Sequence, residues 1–446
     1  MIRLGKWVNT LLIMGLTNLF MLRIWLRMSP FAYGAVYALL LLAYLWFNTA
    51  PLWKKGNFTR LGVMLGGAVL METGVITFTL NLALSLYYGF HLSEIPLPAV
   101  TFFLYLLSWL LYTVIVILNG FLRMYATSLQ LGIKWRVVFF LLWWFPLVNL
   151  ALLWKVCRIV REEYAVEMEK QELNAIRQTN ESCKTRYPLV LVHGVFFRDR
   201  KYFNYWGRIP GELFRNGATV YYGGQQSAAS TEDAAGELKE HILQIIRETG
   251  CGKVNILAHS KGGLEARCAI SRLGLAPYVA SLTTVNTPHR GCAFADWLLK
   301  RIPQRVCGWV ARRYNGALRK LGDAHPDFLS AVWDLTAERC EVYNRITPDA
   351  PGVLYQSVGS RMRGWTSAPF PLNLTYFLVR HFDRENDGLV GVDSMKWGER
   401  FRFLTAPGRR GISHGDMIDL NRQNIRGFDV REFYVELVRE LRERGC

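Results

Sequence analysis

Apolar residues run in long unbroken stretches through the first third of the chain and in short alternating bursts after it, so two kinds of structure are expected. Phe31–Trp53, Leu61–Tyr88 and Leu97–Phe121 are each long enough for a helix to cross a hydrocarbon layer of ~30 Å, which takes about 20 residues. Val137–Cys157 makes a fourth such run. Trp7–Leu22 is shorter and is followed by Arg23 and Arg27, so it reads as a fifth span, an interfacial helix or an uncleaved anchor. No small-residue cleavage site follows it, so it is expected to stay with the mature protein. Residues 1–157 thus read as an all-α transmembrane domain of four or five helices. From Arg158 to Arg186 charges crowd in and apolar positions thin out, the pattern of a solvated helical linker.

From residue 187 to 446 the period changes. Leu189–Val192, Thr219–Tyr222, Val254–Leu257, Val279–Val285, Val353–Val358 and Phe401–Leu404 read as strands. Glu232–Thr249, Lys261–Leu273, Phe328–Arg345 and Asp429–Arg444 have helical spacing. Strands alternating with helices predict βαβ units and a mostly parallel sheet flanked by helices.

Charge divides the chain in the same place. Of 53 Lys and Arg and 35 Asp and Glu, residues 1–157 hold 11 and two, the two acids being Glu72 and Glu94. A net charge of +18 suits anionic lipid headgroups or a basic solvated surface, and no motif for nucleic acid accompanies it. Basic loops at 54–60 and 122–136 are expected on the cytoplasmic side. With four or five spans they put the C-terminal domain outside. Lys155, Arg158 and Arg161, directly after the last run, put it inside, so the side stays open. Glu72 lies inside a span, where a carboxylate needs a partner or a wet face. Seven of the eight cysteines follow residue 180 with no CxxC pair, which fits buried thiols such as Cys251, Cys268 and Cys292 and a reducing compartment.

The chemistry gathers at strand ends. Val254–Ala258 runs into His259-Ser260-Lys261-Gly262-Gly263 and then a helix, the context of a nucleophile elbow, where the chain turns so sharply that only small residues fit at Ala258 and Gly262. His193-Gly194-Val195-Phe196 follows the first strand, so the N–H groups of Val195 and Lys261 are the candidate oxyanion hole. Both donors are backbone groups, so the charge of Lys261 need not enter the chemistry. A serine nucleophile needs an acid and then a histidine from later loops, and Asp387 and His414 satisfy that order. Asp383 and Asp393 are reserve acids. His193, His259, His91, His241, His289, His325 and His381 stand in the wrong place or order.

These segments resemble the bacterial triacylglycerol lipases of the α/β-hydrolase superfamily. The likeness runs through Tyr187–Gly194, Gly217–Tyr221, Val254–Gly263, Leu282–Gly291, Asn386–Val390 and His414–Asp416. It implies an α/β-hydrolase fold, a Ser260–Asp387–His414 triad, a lipid-ester substrate and a lid over about 292–340. The likeness skips the first third, whose apolar runs, taken with the bacterial family, give an integral protein of a bacterial cell membrane as the expected location. Independently, Trp297, Leu298, Leu299, Trp309 and Val310 sit among Lys300, Arg301, Arg305, Arg312 and Arg313, the mixture of a surface helix that meets lipid. The family's structural calcium is matched only by Asp416, because Phe370–Phe377 lacks the expected aspartate, and the chemistry requires no cofactor.

The expected function is a membrane-anchored serine lipase or esterase. A phospholipase or lipid acyltransferase on the same residues is the first alternative, and a non-catalytic membrane scaffold the second.

Overall fold

The computed structural model describes residues 2–49, 59–90, 98–143, 145, 147–177, 180–195, 204–320 and 322–446. The loop charges Lys54 and Lys55, the acid Glu94, and His91 and Phe196 lie outside them. The chain packs as two units, Met1–Glu172 and Leu173–Cys446. Their boundary falls inside the expected linker 158–186, within a helix.

The first unit holds α1 (Ile2–Trp25), α2 (Pro30–Thr49), α3 (Arg60–Phe90), α4 (Ala99–Thr127), α5 (Gly132–Leu142) and α6, which begins at Val148 and ends at Arg177 beyond the boundary. Among the described residues, four helices are long and apolar enough to cross a membrane: Gly5–Trp25, Pro30–Thr49, Arg60–Phe90 and Ala99–Thr127. Trp7–Leu22, read as a span, an interfacial helix or an anchor, belongs to a full-length candidate span. One expectation changes, because Val137–Cys157 is not one helix. That stretch breaks between α5 and α6, where Leu147 has φ 66° and follows Pro146 in sequence; a proline removes a helical N–H and clashes with the preceding turn.

Several polar groups inside this unit are paired across helices, as burial favours. Glu72 of α3 accepts from Arg161 at 2.5 Å and lies 3.4 Å from Lys6. Asn9 and Asn48 exchange amide hydrogen bonds at 3.0 and 2.9 Å. Part of the expected solvated linker is core instead. Val160 is buried, and so is Glu163, whose carboxylate accepts from Arg60, the Ser128 hydroxyl and the N–H groups of Leu129 and Gln130. That carboxylate gathers donors from separate chain segments, which charge pattern alone does not foretell.

The second unit is a doubly wound sheet. In chain order it comprises β1 (Leu189–Val192), α7 (Ile209–Arg215), β2 (Val220–Tyr222), α8 (Thr231–Thr249), β3 (Val254–His259), α9 (Gly262–Ser271) and β4 (Val279–Val285). Then come α10 (Ala293–Arg301), α11 (Gln304–Lys320), α12 (Phe328–Trp333), α13 (Ala337–Ile346), β5 (Leu354–Ser360), α14 (Leu372–Phe382), α15 (Val392–Met395), β6 (Arg400–Leu404) and α16 (Val430–Glu443). All strands pair in parallel in the order β2-β1-β3-β4-β5-β6.

Because both faces are covered, β1 reads as an unbroken apolar run and alternates its allegiance. Leu189 and Leu191 join a core with Trp206, Phe433, Leu437 and Leu441, while Val190 and Val192 join one with Leu238, Ile242, Ala266 and Ile270. Each such fully buried side chain contributes roughly 1.5–3 kcal/mol of burial free energy. Local chemistry sets the helix ends. Ser230 caps α8 by accepting from Asp233 N, and Gly250 closes it at φ 68°. The expected single helix Phe328–Arg345 is two, since Thr336 accepts from Arg339 N and starts a new helix at Ala337.

The order has one reversal. From β1 the chain moves outward to β2, then returns to β3 on the other side and proceeds to β6. The crevice beyond the carboxyl ends of β1 and β3 is therefore the topological switch point, where open α/β sheets bind ligands.

Candidate active site

Ser260 stands at that switch point. β3 ends at His259, and Ser260 adopts φ 55°, a left-handed conformation rare outside glycine, held by its N–H donating to Val285 O at 2.9 Å. Such strain typically costs of order 1–3 kcal/mol and persists where the surroundings over-determine it. The enforcement is steric. A Cβ on Gly262 would lie 2.4 Å from His193 O, and one on Gly194 would lie 2.8 Å from Ser260 Cβ. The turn after β1 and the elbow after β3 are therefore in contact.

Val195 and Lys261 flank Ser260 from these two turns, and neither backbone N–H meets an acceptor among the described residues. The Lys261 side chain turns into the protein. It is fully buried and its Nζ lies 2.7 Å from Glu265 Oε1, also buried. Glu265 Oε2 accepts from Gln225 Nε2, which also donates to His193 O, so one buried network spans both turns. Breaking a buried pair from one side leaves an uncompensated charge. Glu265→Leu is expected to lower stability by about 3–5 kcal/mol, whereas Lys261→Met with Glu265→Leu recovers most of it. Chemical denaturation of the single and double variants checks this.

His414 and Asp387 are brought together, although 27 positions apart. His414 Nδ1 lies 2.6 Å from Asp387 Oδ2, and both residues are buried. The other carboxylate oxygen accepts from the N–H groups of Leu389 and Val390 at 2.9 and 2.8 Å. His414 N–H donates to Asp387 O at 2.9 Å, which ties the two loops. The His414 ring also packs 4.5 Å, centroid to centroid, from His259 beside Ser260. Of the reserve acids, Asp393 is exposed and paired with Lys396, and Asp383 packs on Gly391.

Sequence reasoning misses Asn286. It follows β4, adopts φ 48°, is fully buried, and donates to Asp387 Oδ2 at 2.7 Å and to Ser360 Oγ at 2.8 Å. Its only sequence signal is an amide just past the carboxyl end of a central strand. Tyr205 is missed too, with its hydroxyl 2.7 Å from His259 Nδ1. Burial first, then the neighbouring His414, holds the His259 imidazole well below the usual histidine range, so it is neutral. Three other histidines are engaged elsewhere: His193 with Gly194 O and Gln225 O, His241 with Gly223 O, and His289 stacked on Trp397, while His325 is exposed. His381 is exposed at the end of α14.

Asp416 does not fit a calcium site here. Its carboxylate is taken by Arg410 at 2.8 Å and by the Ser413 N–H and hydroxyl, and no cluster of three or more His, Cys, Asp or Glu side chains suited to a metal occurs among the described residues. Burial is the leading influence on that carboxyl and raises its pKa above the usual aspartate value. All eight cysteines are free thiols, six buried and Cys251 and Cys307 half-buried. The described part of 292–340 holds α10, α11, α12 and the start of α13, and α11 leaves Val306 and Trp309 exposed among its arginines.

A parallel, helix-flanked sheet with a strained serine on the strand-to-helix turn defines an α/β hydrolase. No protein-family model matches the chain. A triacylglycerol lipase of Pseudomonas fragi is 30% identical over 300 residues, 60% of this chain and 99% of that protein. One of Pseudarthrobacter phenanthrenivorans is 36% identical over 179 residues, 37% of this chain. The chain spans about half, 55%, of that second relative's length. The crystal structure of Staphylococcus hyicus lipase aligns with a TM-score of 0.45 at 19% identity, over 58% of this chain and 97% of that one. The chain belongs to the triacylglycerol lipase family.

Proposed function

We propose that this protein is a membrane-anchored serine hydrolase that cleaves carboxylic esters of lipids. The observation that carries the reading is the Asp387–His414 pair, whose imidazole packs 4.5 Å from the ring of His259, the neighbour in sequence of a strained Ser260 at the switch point of the sheet. Ser260 Oγ attacks the ester carbonyl and gives its proton to His414 Nε2. Asp387 holds Nδ1–H of that ring, which fixes the tautomer and stabilises the imidazolium that forms. The N–H groups of Val195 and Lys261 receive the developing oxyanion; one such donor is worth roughly 3–4 kcal/mol of barrier. His414 then returns the proton to the leaving alcohol, and water, activated by the same ring, releases the acyl group.

The lipid substrate is supported by the named activity of the relatives, and the membrane anchor by the four apolar helices. The test is labelling of the detergent-solubilised protein with a fluorophosphonate, alongside hydrolysis of p-nitrophenyl esters of rising chain length. Labelling with turnover that favours long chains is the expected result. A folded protein that neither labels nor turns over any ester would sink the proposal, and acyl transfer to an added alcohol in preference to water would move it to an acyltransferase.

A further inference from the structure

α14 is core on one side and carries exposed apolar side chains on the other. Leu372, Tyr376 and Val379 are buried. On the opposite side Leu374 and Phe377 are 59% and 54% exposed. Phe370, two residues before the helix, is 75% exposed, and Trp365 is 52% exposed with its ring centroid 6.3 Å from that of Phe377. Four large apolar side chains in one neighbourhood make a patch of the kind that marks an interaction site, whereas single exposed apolar residues mean little.

Its charge narrows the partner. Between Arg361 and Arg384 the only acid is Asp383, while Arg363, Arg380 and Arg384 are exposed and have no acidic partner among the described residues. Arg380 and His381 continue the exposed side of α14 by one turn past Phe377. Aromatic side chains bordered by unpaired arginines suit the boundary between acyl chains and anionic headgroups.

The patch also adjoins the candidate site. Leu372 O and Cβ lie 3.3 and 3.5 Å from where a Cβ on Gly388, beside Asp387, would stand. Leu372 Cδ1 lies 3.6 Å from the same point on Gly415, beside His414. The residue that roots α14 in the core is thus packed against both loops that bring the acid and the base.

We infer that Trp365, Phe370, Leu374 and Phe377, with Arg363 and Arg380, form a docking surface for an anionic lipid bilayer at the rim of the Asp387–His414 loops. The surface stands whether or not the chemistry proposed above is correct. If that chemistry is correct, docking is what presents bilayer esters to Ser260.

The experiment uses the full chain in lipid nanodiscs of phosphatidylcholine alone or with one-third phosphatidylglycerol. An environment-sensitive fluorophore on Leu374→Cys, with the half-buried Cys251 and Cys307 changed to Ser, reads insertion. Blue-shifted emission, quenched by brominated lipid and at least threefold stronger in quenching with phosphatidylglycerol, is expected, with loss in Arg363→Glu/Arg380→Glu. Water-like emission in both discs overturns the inference. So does burial that lipid bromines do not quench and that grows with protein concentration, since the partner is then a second copy. Equal quenching in both discs overturns the headgroup selectivity. In the unlabelled protein, Phe370→Ser/Phe377→Ser should lower turnover of a bilayer-embedded ester at least tenfold and leave p-nitrophenyl butyrate hydrolysis within twofold, which also reports folding. Failure of the wild-type chain to hydrolyse either ester counts against the hydrolase reading and leaves the fluorescence result standing.

Discussion

Ser260→Ala is expected to abolish fluorophosphonate labelling and to lower kcat for p-nitrophenyl butyrate by roughly 10⁴- to 10⁶-fold, the range seen when a serine nucleophile is removed from a working triad. The substitution is clean for a structural reason. Alanine keeps the Cβ that contacts the Gly194 turn, and the backbone N–H still donates to Val285 O, so the φ of 55° is sustained by the same contacts. Circular dichroism and the melting transition should therefore match the wild type. A variant that retains more than about one-hundredth of the activity would mean that another group attacks the ester. A variant that unfolds would mean the hydroxyl holds the turn, and the assignment of Ser260 as nucleophile would lose its best support.

Asp387→Asn tests the second half of the site through hydrogen-bond direction. Asp387 Oδ1 receives two backbone N–H groups, so the amide that replaces the carboxylate must point its oxygen there and its NH2 at the side now held by Oδ2. That side faces two donors, Asn286 Nδ2 at 2.7 Å and His414 Nδ1 at 2.6 Å. The imidazole escapes by moving its proton to Nε2, and it then cannot accept the proton of Ser260. A loss of roughly 10⁴ in kcat with KM little changed is expected. Comparison of Asp387→Asn with Asn286→Leu/Asp387→Asn separates tautomer from packing. Partial recovery in the double variant would show that the donor clash contributes, and a kcat within tenfold of wild type in Asp387→Asn itself would remove Asp387 from the mechanism.

The parts of this architecture that sequence makes legible are those governed by local rules. β1 and β4 appear with their full bounds because short apolar runs between breakers admit few alternatives, and Ser260 is marked by the small residues its turn requires. Asp387 and His414 are legible through chain order, with no residue contact needed to nominate them. What escapes is set by contacts across long separations. Asn286 meets Asp387 across 101 positions, and Gln225 meets Glu265 across 40, and neither pair leaves a pattern along the chain. The interrupted stretch Val137–Cys157 fails for another reason: average hydropathy is blind to a single proline. The charged stretch after Arg158 likewise conceals the buried Glu163, whose partners come from α3 and the α4–α5 turn.

The free thiols bear on how the catalytic unit can be watched as it opens. Burial pushes the Cys268 thiol, in the helix behind the elbow, up to about 11 and the Cys340 thiol, in α13, up to about 12. Cys292, at the start of the segment that leads into α10, is held well above the ordinary thiol value, again chiefly by burial. A thiol that is both shielded and protonated reacts only after its surroundings part. Each of these three cysteines is therefore a native stopwatch for its own layer of the fold. Alkylation rates at Cys292 and Cys340 time the loosening of the α10–α13 stretch, and the rate at Cys268 times the loosening of the elbow's foundation, with no label added and no bridge to reduce.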